Sequence, residues 1–260
     1  MKPALVMAGF GVAEETARQN SLEALASAMS EAHPDHDFFQ AYTSAFLRKR
    51  LQKKGIFIPS PEECLEELAQ KGYERVLVQP THLTSGEEYR NKLLGAAEKF
   101  RERFSLLLTG EPLFFREEDY LLVLDALQNI YSSKEGELVL LGHGSPHQHN
   151  PVYERLQMLA DARELPMHIG VVEESDTPDF SMVLERLRQR GRKKILLAPL
   201  LLSGGVHVTE DMAGDSPASW KSRLEAEGFS VSTALKGLGE YPEIRALYLR
   251  KADRLVRNAN

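Results

Sequence analysis

Three stretches of the chain put a metal-binding side chain just after a short apolar run. His143 follows Leu138-Val139-Leu140-Leu141 and stands between Gly142 and Gly144. Glu173 follows the run Met167 to Val172, and His207 follows Ile195 to Pro199 after the loop Leu200 to Val206. Short apolar runs bounded by glycine and polar residues read as buried strands. Three strand ends therefore deliver His, Glu and His towards one sheet edge. Two imidazoles and one carboxylate suit a borderline divalent ion such as Co²⁺, Ni²⁺, Fe²⁺ or Zn²⁺ and leave coordination positions open. The flanking glycines let the backbone turn sharply at His143 and keep the space around its ring clear. Imidazole changes charge near neutral pH, so such a histidine can also accept a proton. One histidine after a strand is more often structural; the set of three at equivalent positions is what points to a metal.

The elements that must position these residues alternate regularly. Ala4 to Ala8 reads as a first strand ending at Gly9-Phe10-Gly11, followed by helix from about Glu15 to Ala32. Strand near Asp37 to Tyr42, helix Ser44 to Lys53, and a helix opened by Ser60-Pro61-Glu62-Glu63 come next. Ser60 is placed to cap that helix, with Pro61 at its first position and Glu63 reaching back. Strands Arg75 to Pro80 and Phe104 to Leu108, with helices from about Glu87 and over Glu117 to Tyr131, complete the first half. The second half repeats the scheme. Gln70 to Pro80 aligns without a gap on Gln189 to Pro199, which sets Gly86 opposite Gly205, and Leu5 to Gly11 echoes Leu138 to Gly144. Such alternation predicts an α/β protein of two similar lobes, each a mainly parallel sheet flanked by helices, with a cleft between them. The division expected is residues 1–130 for the N-terminal lobe and 131–260 for the C-terminal lobe that carries the metal site.

Composition narrows the function classes. Hydrophobic residues make up 42% of the 260 residues and charged residues 27%, enough for a buried core. A net charge of −6 argues against a general nucleic-acid binder. The single cysteine, Cys64, excludes an intramolecular disulfide framework and any multi-cysteine metal site. No apolar run approaches the ~20 residues of a membrane helix, and the short N-terminal run reads as a strand rather than a signal peptide. A cytoplasmic location is expected. Cys64 reads as a core residue, Trp220 as packing, and Ser216-Pro217 as a helix start; Glu210 and Asp211 either orient His207 or begin a helix. His147 and His149 read as solvent-exposed, and His82 as a vestigial or substrate-facing group.

The ordered series of motifs resembles one known family over nearly the whole chain. Phe38-Phe39-Gln40-Ala41-Tyr42-Thr43-Ser44, Thr81 to Tyr89, Gly142-His143-Gly144, Gly170-Val171-Val172-Glu173, His207 to Ala213, Ser219-Trp220-Lys221 and Gly237-Leu238-Gly239-Glu240 are similar to the anaerobic cobalt chelatases, the sirohydrochlorin cobaltochelatases of the class II chelatases. The resemblance implies a lyase-class enzyme of cobalamin biosynthesis that inserts Co²⁺ into sirohydrochlorin and releases two protons. It places the metal ligands on His143, Glu173 and His207, with the two histidines catalytic. Glu174, and Glu88 in Gly86-Glu87-Glu88-Tyr89, are rival carboxylates. The divalent metal is then a substrate and no cofactor is permanently bound. Sirohydrochlorin carries eight carboxylates, so neutral donors at strand-end turns are expected to hold them. Those turns offer Phe10, Ser85, Gly86, Glu88, Ser145, Gly204 and Gly205 as substrate-binding residues. The expected partner is sirohydrochlorin, with no nucleic acid and no membrane, and a homo-oligomer is compatible with this reading. The alternatives are nickel or iron insertion into the same substrate, a non-catalytic metal or tetrapyrrole carrier, and a metallohydrolase.

Overall fold

Eight strands form two separate four-stranded sheets in the computed structural model, which describes residues 2–132, 136–145, 149–205 and 207–259, with His207 described by its backbone alone. The first sheet comprises β1 (Ala4–Gly9), β2 (Asp37–Tyr42), β3 (Arg75–Pro80) and β4 (Leu106–Thr109) in the order β2-β1-β3-β4. The second comprises β5 (Glu137–Gly142), β6 (Met167–Val171), β7 (Lys194–Pro199) and β8 (Ser230–Thr233) in the order β6-β5-β7-β8. Every pairing is parallel. Strands β1 and β5 are buried along their whole length, which is why they read as unbroken apolar runs rather than alternating ones.

The two sheets belong to two compact units. Residues Met1–Phe115 and Pro242–Asn260 make up the first, and Arg116–Tyr241 the second. This differs from a division at 130/131 at both ends. Helix α6 (Glu117–Tyr131) packs on α7 (Val152–Ala162) of the second unit, and the last helix, α10 (Pro242–Ala259), returns to the first. There α10 packs on β3 and β4, and the Tyr248 hydroxyl donates to the Thr81 carbonyl at 2.9 Å. An amphipathic helix at a chain end carries no local signal of which sheet it will cover, so the sequence pattern assigned it to its neighbour.

Helix boundaries follow their capping chemistry. Ser60 accepts from the Glu63 N–H at 3.1 Å while the Glu63 carboxylate accepts from the Ser60 N–H at 2.7 Å, with Pro61 opening α4 (Pro61–Gln70). The same hydrogen bond from the Ser60 backbone lowers the Glu63 pKa. Cys64 and Leu65 of α4 pack into the first core beside Val76 and Val78, as expected. In the second unit Trp220 is buried and meets Phe180 edge-on at 5.0 Å. Its helix, α9 (Trp220–Ala226), starts at an Ser219 cap rather than at Ser216-Pro217. Among the described residues, three helical stretches contain π-helical turns: Gln19–Glu23, between α1 (Glu15–Arg18) and α2 (Ala24–Ala32); Glu88–Leu94, before α5 (Gly95–Phe100); and His207–Met212. No described helix is long and apolar enough to cross a membrane.

Candidate metal centre

His143 and Glu173 sit on neighbouring strand ends of the second unit. Gly142, the last residue of β5, is in register with Val171, the last of β6. The ladder then continues past both strands: the Val172 N–H donates to the Gly142 carbonyl at 3.0 Å and the Glu173 N–H to the His143 carbonyl at 2.9 Å. The two candidate ligands are thus joined by a backbone hydrogen bond. His143 is exposed and Glu173 half-buried, with one Glu173 oxygen accepting from the Ser175 hydroxyl at 3.1 Å. Glu174, the adjacent rival, is exposed and lies one residue beyond this rung.

Two glycines make the close approach feasible. A Cβ on Gly142 would lie 2.2 Å from the Tyr153 ring, and one on Gly144, at φ +80°, would lie 2.8 Å from the Glu173 Cβ. Tyr153, on α7, uses the vacated space: its hydroxyl accepts from the Gly144 N–H at 3.3 Å. Beside it stands Asp176, a buried carboxylate that sequence reasoning passed over. One of its oxygens accepts from the Ser145 N–H at 2.9 Å. The other accepts from the Thr177 N–H at 2.8 Å and the Asn150 N–H at 3.4 Å, and lies 2.8 Å from His149 Nδ1. Asp176 therefore ties the loop after His143 to the loop after Glu173. The one sequence signal was an acid in a Ser-Asp-Thr-Pro turn, which most often only shapes its own loop. His149 is exposed, as expected, and its hydrogen bond to Asp176 raises its pKa. His147 lies outside the described residues.

The third candidate, His207, follows the strand on the other side of β5. β7 pairs with β5, and the Leu200 N–H extends that ladder onto the Leu141 carbonyl at 2.7 Å. The backbone of His207 then opens the π-helical turn to Met212, which also holds Glu210 and Asp211. The side chain of His207 is not among those described. The turn before it is built on close backbone contact. A Cβ on Gly204 would lie 2.9 Å from the Leu235 carbonyl, and the Gly205 carbonyl accepts from the Val208 and Thr209 N–H groups at 2.9 and 3.1 Å. Close packing accounts for the glycine at 204, while Gly205 and Ser145 remain partly exposed.

The first unit repeats this geometry with different side chains. The Thr43 N–H donates to Gly9 at 2.8 Å and the Ser44 N–H to Phe10 at 3.2 Å, the same two rungs that join Gly142 to Val172 and His143 to Glu173. Phe10 thus occupies the place of His143, and Ser44 that of Glu173. The gapless repeat sets Glu88 opposite His207, and each begins a π-helical turn. Phe10 is half exposed, not core. Glu88 pairs with Lys92 at 2.5 Å through one oxygen, while its other oxygen is buried without a hydrogen bond among the described residues. Ser85 and Gly86 are partly exposed, and the Gly86 carbonyl accepts the Arg90 N–H at 3.0 Å. Both ring nitrogens of His82 are buried with no hydrogen-bond partner among the described residues, and burial lowers its pKa to about 4. Its imidazole is neutral at physiological pH.

Comparison with known proteins identifies the family and the fold. The sequence profile of the cobalt chelatase (CbiK) family matches residues 3–256. A sirohydrochlorin cobaltochelatase of Salmonella typhimurium is 34% identical over 252 residues, covering 96% of this chain and 94% of the relative. A second, from Nitratidesulfovibrio vulgaris, is 32% identical over 245 residues, covering 92% and 86%. Among solved structures, SirB from Bacillus subtilis with Fe³⁺ is similar at a TM-score of 0.62 and 17% identity, over 99% of this chain and 97% of that one. CbiX, described as the terminal enzyme of siroheme biosynthesis in denitrifying bacteria, gives 0.59 at 16% identity, over 97% and 99%. At such identities the structural likeness speaks for the fold alone.

Proposed function

The chain belongs to the cobalt chelatase family, and from that premise we infer that it inserts Co²⁺ into sirohydrochlorin as a lyase-class chelatase of cobalamin biosynthesis. His143, Glu173 and His207 hold the ion, which is a substrate, and no permanently bound cofactor takes part. The observation that supports the site is the 2.9 Å hydrogen bond from the Glu173 N–H to the His143 carbonyl, which joins the backbones of a histidine and a glutamate at the end of the sheet. That His143 is exposed supports its access to an incoming ion and macrocycle.

The chemistry follows from the donor set. Two neutral imidazoles and one carboxylate hold a divalent ion with one negative charge from the protein, and they leave positions open for pyrrole nitrogens. As the macrocycle nitrogens replace the protein ligands, two N–H bonds break and two protons leave. One histidine released from the metal accepts a proton, and Glu173 offers the second route. The test is the absorbance change of sirohydrochlorin with Co²⁺ at substoichiometric protein. The expected result is many turnovers for the native chain, and a loss of 10²-fold or more in kcat/KM for His143→Ala and His207→Ala. Unchanged turnover in both variants, or a single stoichiometric spectral change with the native chain, overturns the reading.

A further inference from the structure

The internal repeat isolates one element that only the first unit possesses. In both units the last residue of the edge strand donates its N–H to a proline carbonyl farther along the chain: Tyr42 to Pro59 at 2.9 Å, and Val171 to Pro178 at 3.0 Å. These rungs close equivalent excursions at the carboxyl ends of the sheets. In the second unit the excursion is residues 172–177, whereas in the first it is residues 43–58 and contains a helix, α3 (Ala45–Gln52), capped by Ser44. The extra length therefore stands at the same sheet edge that carries the candidate ligands in the second unit.

The surface of α3 is unusual for this chain. Phe46, Lys49, Arg50 and Lys53 are spaced i, i+3, i+4 and i+7, a single helical stripe, and all four are exposed, Phe46 by 71%. The opposite face seats Leu51 in the core. The neighbouring cations are already engaged: Arg48 pairs with Glu63 at 2.7 Å, and Lys54 donates to the Ala13 carbonyl at 3.1 Å. Lys49, Arg50 and Lys53 make no ion pair or side-chain hydrogen bond with the described residues. A protein of net charge −6 repels a substrate that carries eight carboxylates. A local run of unpaired cations reverses that field at short range and raises the rate of capture.

We propose that the exposed stripe Phe46-Lys49-Arg50-Lys53 of α3 is the capture surface for the carboxylate-rich tetrapyrrole, its cations taking the acid side chains and Phe46 offering an apolar face to the macrocycle. This rests on the chelatase reading above. The test compares the native chain with a Lys49→Gln/Arg50→Gln/Lys53→Gln variant and with Phe46→Ala. Their exposed positions leave the fold intact, which a thermal melt verifies. Binding of sirohydrochlorin without metal, followed by absorbance, and steady-state kcat/KM are each measured at low and high salt. The triple variant is expected to lose about tenfold in kcat/KM for sirohydrochlorin at low salt, with kcat and the KM for Co²⁺ unchanged. The difference is expected to shrink towards nothing at about 0.5 M salt, where screening is short-ranged. Phe46→Ala is expected to weaken binding at both salt concentrations. A triple variant that matches the native chain at every salt concentration overturns the proposal; the stripe would then serve an acidic protein partner instead. His143→Ala separates the two readings. If it abolishes turnover while the triple variant is unaffected, the capture surface fails alone; if the native chain neither binds nor metallates sirohydrochlorin, the chelatase reading fails.

Discussion

Asp176 shows how one side chain sets the geometry of others. Its buried carboxylate collects N–H donors from Ser145, Asn150 and Thr177 and lies against His149, which ties the segment after His143 to the segment after Glu173. Replacing it by asparagine keeps the shape but turns one acceptor oxygen into a donor facing backbone N–H groups, which costs roughly 1–3 kcal/mol for each donor left unpaired. Residues that orient metal ligands typically change metal affinity by 10–100-fold when altered. Asp176→Asn is therefore expected to stay folded and to bind Co²⁺ at least about tenfold more weakly in a calorimetric titration; native affinity would remove Asp176 from this role. At this scale the sequence was informative where a residue follows a strand, as His143 and Glu173 do, because strand ends can be read from apolar runs. Asp176 was not readable, because its partners are backbone amides brought together only by the fold.

Elements were the most readable level. The inner strands β1, β3, β5 and β7 were evident as apolar runs, and α4 was evident from Ser60, Pro61 and Glu63, whose capping box forms as expected. Ser60→Ala removes the acceptor for the Glu63 N–H, and a loss of about 1 kcal/mol is expected in a denaturant titration. No loss would mean that packing alone holds the helix. The π-helical turns were invisible, since one added residue in a turn barely changes apolar spacing. They are nonetheless informative in the folded chain: the turns at Glu88 and His207 begin at equivalent points of the two units and mark where the repeat has kept its shape and changed its chemistry.

At the scale of the whole molecule, the chain is a repeated sheet in which one copy carries the proposed donors. The duplication was readable from the gapless match of Gln70–Pro80 to Gln189–Pro199, and its strand orders agree. The unit boundaries were not, because α10 closes the first unit from the far end of the chain. Since Phe10, Ser44 and Glu88 stand opposite His143, Glu173 and His207 in the repeat, only the second unit has histidine at two of these positions. One Co²⁺ site per chain is accordingly expected. X-ray absorption at the cobalt edge, with one equivalent of Co²⁺ bound, addresses this most directly. The native protein is predicted to show nitrogen and oxygen neighbours at about 2.0–2.2 Å with outer-shell scattering from two imidazoles, falling to one in either His143→Ala or His207→Ala. A cobalt environment without imidazole, or one that neither substitution alters, would contradict it.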